Sequence, residues 1–139
     1  MQEPGDAASL PSRWIEKAET DLTAAVRLLK EPEGCPTPVV CFCAQQCVEK
    51  YMKAVLVANG IGFPKTHEIG ELMRLLPPET RPDLSPAEQE TLTDYAVVGR
   101  YAFDREPVSL SEARRAVRLA RRVRAVMRRH LPKSSRRGT

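Results

Sequence analysis

Between Cys41 and Leu56 the chain is mostly apolar, and the exceptions are regularly spaced. Gln46, Glu49, Lys50 and Lys53 recur at steps of three and four, which places them on one face of a helix. A carboxylate flanked by two amines at this spacing has two readings. One is a solvated face closed by the Glu49–Lys53 salt bridge. The other is a ligand wall on which Lys50 or Lys53 contacts a bound anion while Glu49 positions the amine. His67 follows Lys65-Thr66 and also reads two ways. It is either a hydrogen-bonded structural histidine at a helix start, or a cleft residue that meets phosphate beside Lys65 and the amino end of that helix. The helix dipole there would disfavour an imidazolium and keep the ring neutral. A third group is the row of eight arginines from Arg114 to Arg129. Guanidinium forks onto phosphate and carboxylate alike, so a face of this kind suits RNA, an acidic partner, or plain solvent.

The cysteines carry less chemistry. Cys43 and Cys47 are one helical turn apart, but no second ligand pair stands at metal-binding spacing from them or from Cys35 and Cys41. They read as small core residues. No metal and no cofactor is expected.

The elements that must hold these groups are helical. A first helix is expected over about Arg13 to Lys30, capped by Ser12, with Trp14, Ala18, Leu22, Ala25, Leu28 and Leu29 inward. Pro32, Gly34 and Pro36 break it. Pro38 suits the first turn of a second helix, with Thr37 as cap, and Gly60 ends it in the left-handed region. Apolar over most of its girth, this second helix belongs in the middle of a bundle. A short third helix is expected from His67 to Leu76, with Thr66 as cap, Ile69, Leu72, Met73 and Leu76 inward, and Pro77-Pro78 as stop. Ser85-Pro-Ala-Glu88 is a capping box with proline in the first turn; it opens a fourth helix over about Pro86 to Val98. Gly99 and residues 100–107 form a break. Ser109-Leu-Ser-Glu112 is a second capping box, opening a fifth helix from about Leu110 to His130. On that helix Ala113, Ala116, Val117, Ala120, Val123 and Met127 share one face, opposite the arginines. No strand alternation and no internal repeat is present. The expected architecture is all-α: an antiparallel, up-and-down four-helix bundle with one short additional helix.

The chain has 139 residues, which fits one domain with a proper core. Residues 13–131 are expected to form the bundle, with 1–12 a flexible segment and 132–139 a basic, disordered tail. No apolar run is long enough to span a membrane, and Met1 to Ser12 lack a signal-peptide core, so a cytoplasmic protein is expected. Charge is unevenly placed. Residues 1–99 hold nine Lys/Arg against fifteen Asp/Glu, a net of −6, and residues 100–139 hold thirteen against three, a net of +10. An acidic body with a basic end points to a polyanionic partner or to a second copy of the chain.

One pattern joins these pieces. It runs Trp14-x3-Ala18-x2-Asp21-Leu22-x2-Ala25, then Phe42-x-Ala44-Gln45-Gln46-x2-Glu49-Lys50-x2-Lys53-Ala54-x-Leu56. It continues as His67-x-Ile69-x2-Leu72, Arg100-Tyr101, Ser111-Glu112-Ala113 and Ala120. The chain so read resembles the HEPN family (higher eukaryotes and prokaryotes nucleotide-binding domain) over roughly Arg13 to Leu131. The resemblance implies a helical bundle that pairs as a homodimer around a cleft. It also implies a genetic neighbour, a minimal nucleotidyltransferase that acts as antitoxin to a toxin. Many members of the family are metal-independent ribonucleases, and others are non-catalytic RNA- or nucleotide-binding domains.

The family's nuclease chemistry uses an arginine followed, after four to six residues, by a histidine. Histidine would move a proton at the ribose 2′-hydroxyl or the leaving oxygen, and arginine would stabilise the charge on phosphate. Arg100 matches the arginine, but no histidine follows it in that window. Glu106 stands there instead and would serve as a base only with a raised pKa. Tyr101 either packs the helix break or stacks on a base. Arg124 and His130 have the family spacing by letter, but they lie at the far end of the last helix. The reading that follows is an RNA- or nucleotide-binding protein of a toxin–antitoxin-like pair, with a cleft near Arg100, Tyr101 and His67. A ribonuclease toxin with an altered site and a non-catalytic module docking an acidic partner remain as alternatives.

Overall fold

The structure is a computed structural model that describes residues 10–31, 33–97 and 108–133. Among the described residues, five α-helices run in the order α1 (Pro11–Leu29), α2 (Thr37–Ala58), α3 (Ile69–Leu75), α4 (Pro86–Asp94) and α5 (Leu110–Arg129), with a 3-10 turn at Pro78–Thr80. The described residues contain no strand. The fold is the expected all-α, four-helix bundle: α1, α2, α4 and α5 are its main helices and α3 is the short addition.

The second helix is the axis of the molecule. It packs against each of the other four, most extensively against α1 and α5. From Ala44 to Leu56 nearly every residue is buried, including Cys47, Val48, Tyr51, Met52 and Val55. Burial on all sides removes a large apolar area from water and fixes α2 as the central rod. Pro38 sits in its first turn. Gly60, at φ +67°, closes it through the left-handed conformation that only glycine adopts without strain.

Several boundaries differ from expectation, each for a local reason. The first helix begins at Pro11, with Leu10 in the cap position and Ser12 inside the helix, because proline is preorganised for the first turn. Its fully buried stripe is Trp14, Ile15, Ala18 and Ala25, while Leu22, Leu28 and Leu29 are only partly covered. Thr37 does not cap α2; its hydroxyl donates to the Val108 carbonyl at 2.6 Å and ties the start of α2 to the start of α5. Helix α3 starts at Ile69 rather than His67. The Thr66 hydroxyl accepts from the Glu68 amide, a local turn that holds the chain out of the helix for two more residues. Helix α4 ends at Asp94 and passes into a turn at Tyr95.

The capping predictions divide. At Ser85 the box is complete: Ser85 accepts from the Glu88 amide at 3.1 Å and Glu88 accepts from the Ser85 amide at 2.9 Å. At Ser109 only the serine half forms, with the Glu112 amide at 3.0 Å. The Glu112 carboxylate turns instead to the Tyr95 hydroxyl, 2.5 Å away, and so links α4's exit to α5.

Candidate ligand-binding site

The polar strip of α2 is not a solvated face. Glu49 is 1% exposed and Lys53 2%. A carboxylate taken so far out of water needs several donors, and Glu49 collects five. Gln45 Nε2 donates to Oε1 at 3.1 Å and Gln46 Nε2 at 3.5 Å. Lys53 Nζ and Lys50 Nζ approach Oε2 at 3.1 and 3.4 Å. His67 Nδ1 lies 2.8 Å from Oε1. Burial alone would push the Glu49 carboxyl up; Lys50, Lys53 and the His67 and Gln45 hydrogen bonds outweigh it, and the net pKa is lowered. Glu49 is therefore ionised, and His67 Nδ1 must carry the proton it donates.

Two other elements close this cluster. Lys53 Nζ lies 5.6 Å from the centre of the Trp14 ring and 5.5 Å from that of Phe63, and the two rings meet edge to face at 5.9 Å. Trp14 comes from α1 and Phe63 from the loop after α2. Their faces replace part of the ammonium's lost hydration. The same loop delivers His67, whose carbonyl also accepts from Gln45 Nε2 at 3.2 Å. Gln45 and this loop thus clamp the imidazole over Glu49.

The site's working surface follows from which groups reach solvent. The His67 side chain is 65% exposed although Nδ1 is held, so Nε2 is the nitrogen presented outward. Lys50 is 16% exposed and donates to Gln46 Oε1 at 2.8 Å. Lys65 is exposed two residues before His67. Of the two lysines expected to touch an anion, Lys50 faces outward and Lys53 serves Glu49 from inside. Helix α3 begins two residues after His67, and the ring's partner is a carboxylate. Arg100, Tyr101 and Glu106 lie outside the described residues.

Sequence reading missed four contributors. Gln45 is wholly buried and bridges Glu49 to the loop. Its signal was the doubled amide Gln45-Gln46, which widens the strip beyond one face. Trp14 and Phe63 cover Lys53, and nothing in their spacing announces that contact. Asp21, half-buried on α1, faces the same neighbourhood.

The arginine face of α5 is partly structural. Arg124 forks onto Glu19 of α1 at 2.6 and 3.0 Å. The Tyr51 hydroxyl donates to the same carboxylate, and Arg128 donates to the Tyr51 oxygen at 3.2 Å. This network staples α1, α2 and α5, and it raises the Arg124 pKa chiefly through the Glu19 hydrogen bond. The Arg124–His130 spacing therefore marks a staple and a helix end. Arg122 reaches the Asp83 carbonyl at 3.0 Å and Glu88 at 3.4 Å. Arg114, Arg118, Arg121 and Arg129 remain exposed. The cysteines are packing groups: burial pushes the Cys41 thiol up to about 12 and holds Cys47 higher still. No helix among the described residues is long and apolar enough to cross a membrane.

Comparison with known proteins agrees with this fold. The chain is 33% identical over 109 residues to a Methanocaldococcus jannaschii protein named "Putative toxin MJ1304", covering 73% of this chain and 69% of that one. The crystal structure of TT1696 from Thermus thermophilus superposes with a TM-score of 0.70 at 27% identity, over 87% of this chain and 98% of the other. The sequence profile of the HEPN domain matches residues 11–130, nearly the whole bundle, and the chain belongs to the HEPN domain family.

Proposed function

We propose that the protein is a HEPN toxin-like component of a two-gene system, and that it binds RNA or a nucleotide through a surface built on His67, Lys50 and Lys65. The observation that carries this reading is the buried Glu49, which holds His67 by Nδ1, leaves Nε2 facing solvent and binds Lys50 through its other oxygen. A fold that buries a carboxylate and a lysine to fix one exposed histidine is arranged for recognition; apolar residues would serve packing as well. Similarity to a protein named as a toxin supports the toxin-like assignment.

In this reading the protein works in the cytoplasm as a homodimer, with Arg100 and Tyr101 completing the cleft. The partner is a minimal nucleotidyltransferase acting as antitoxin, docked on the exposed arginines of α5. Binding is the primary activity, because Arg100 has no histidine in the nuclease window. The test is incubation of pure protein with labelled RNA across a salt series. Salt-dependent binding without cleavage supports the reading. Cleavage that Arg100→Ala abolishes would replace it with a ribonuclease. Absence of binding together with co-purification of an acidic protein would replace it with an interaction module.

A further inference from the structure

Beside Glu49, α1 and α2 enclose a shallow cavity of about 300 Å³ lined by Glu16, Lys17, Thr20, Asp21, Gln46 and Lys50. Its two walls are single helix faces. Glu16, Lys17, Thr20 and Asp21 stand one turn apart on α1, and Gln46 and Lys50 stand one turn apart on α2. Lys50 and Gln46 also belong to the Glu49 cluster, so the cavity continues the surface on which His67 lies.

The groups in it are unequal. Gln46 and Lys50 are bonded to one another. Thr20 returns its hydroxyl to the Glu16 carbonyl. Lys17 lies over the Trp14 ring at 5.6 Å. Asp21 differs: it is half-buried, and among the described residues no hydrogen bond or ion pair ties its carboxylate down. Burial pushes its pKa up and the nearby Glu49 adds to this, while Lys50 and Lys17 only partly offset them. A half-buried carboxylate beside a second carboxylate, with no protein donor fixed on it, is open to a donor brought by a ligand. Asp21 lines the cavity, and the two lysines there are engaged by the Trp14 ring and by Gln46 and Glu49.

We infer that this cavity is a ribose subsite, in which the Asp21 carboxylate accepts hydrogen bonds from sugar hydroxyls while Lys50 and Lys17 meet the adjoining phosphate. The ligand class follows from the lining. Two ammonium groups call for an anion, and a free carboxylate between them calls for a donor held within a few ångströms of that anion. A ribonucleotide unit carries both, since its 2′-hydroxyl can donate and its phosphorus lies two or three bonds beyond the sugar ring. A carboxylate on a ribose hydroxyl is an established way to read sugar, and the 2′-hydroxyl separates RNA from DNA. A bare polyanion would be repelled by Asp21 and Glu16. The inference rests on the RNA- or nucleotide-binding reading and adds a sugar preference to it.

The experiment compares fluorescence anisotropy of one 12-nucleotide sequence, made as RNA and as DNA, against wild type and Asp21→Asn. Wild type is expected to prefer RNA by about tenfold, the scale of one hydrogen bond to a charged group. Asp21→Asn should abolish the preference by weakening RNA binding, with DNA binding equal or tighter once the negative charge is gone. Its melting temperature should stay level or rise, which excludes misfolding as the cause of lost binding. Wild type that binds RNA and DNA alike, or an RNA preference that survives in Asp21→Asn, overturns the ribose subsite and leaves the binding function standing. Wild type that binds neither nucleic acid overturns both. The same variant should leave a Lys50→Gln effect on phosphate intact, with RNA and DNA weakened together in that second protein.

Discussion

His67 Nδ1 lies 2.8 Å from a Glu49 oxygen, and the two residues sit at opposite extremes of exposure, 65% against 1%. The buried partner sets the tautomer and direction of the exposed one, as a carboxylate does for a histidine in many binding and catalytic sites. The loop that carries His67 is thereby fastened to the central helix, and Lys53 under Trp14 and Phe63 balances the charge from below.

Glu49→Gln should be the most damaging conservative substitution in this cluster. It removes the anion and leaves Lys53 charged and buried. The expected loss is roughly 3–5 kcal/mol by urea denaturation, the usual cost of breaking one side of a buried pair. Adding Lys53→Met to Glu49→Gln should recover a good part of it. A single variant as stable as wild type would show that Lys53 escapes to solvent.

Acid should act through Glu49 and Glu19. For each, burial opposes ionisation, but hydrogen bonds and cations win and lower the folded pKa below its ordinary 4.5. The unfolded chain then binds more protons than the folded one in the range below 4.5, so stability is full above that value and drains as pH falls through the folded values. Melting temperatures from about pH 7 to about pH 3 should drop, with a shallower drop in Glu49→Gln. Asp21 has the opposite shift, so its ionisation as pH rises works against the fold.

Arg124→Ala should cost stability without touching the ligand surface. The bidentate contact with Glu19 is only partly exposed, and the variant should lose about 1–3 kcal/mol. Arg124→Lys should recover less than half, because an ammonium cannot fork. RNA binding per folded molecule should be unchanged. A selective loss of binding in a stable Arg124 variant would make the Arg124–His130 spacing functional after all.

Replacing the exposed Arg118 and Arg121 by alanine should shift stability by no more than about 0.5 kcal/mol each. Its effect belongs to partners. An acidic protein that co-purifies with wild type should be released by the double variant at moderate salt, whereas variants of His67 should retain it.

How much of this was legible in the sequence depends on the kind of signal. Helix order, the central position of α2, Gly60 as its end and the Ser85 box follow from local chemistry that three or four adjacent residues settle among themselves. Burial of the polar strip does not. Periodicity assigns Glu49 and Lys53 to solvent because it counts only neighbours on one helix, while Trp14, Phe63 and His67 arrive from elsewhere to cover them. The same limit applies to α5, where Arg114 and Arg124 look alike in sequence and differ only because Glu19 faces one of them. The Ser109 box formed by half for a similar reason: Tyr95 competed for Glu112 and won. Asp21 stood in the Trp14-x3-Ala18-x2-Asp21 pattern, but its lack of a partner could be seen only once α1 and α2 were placed side by side.

The most direct measurement is RNA binding by wild type and His67→Ala at about 50 and about 200 mM salt, with melting temperatures recorded on the same samples. Wild type is expected to bind, with affinity that weakens at least about tenfold with salt, and His67→Ala to lose about tenfold more. Little change in melting is expected, since Gln45, Gln46, Lys50 and Lys53 still satisfy Glu49. Equal binding by the two proteins, or none by wild type at the lower salt, would contradict a recognition surface built on His67.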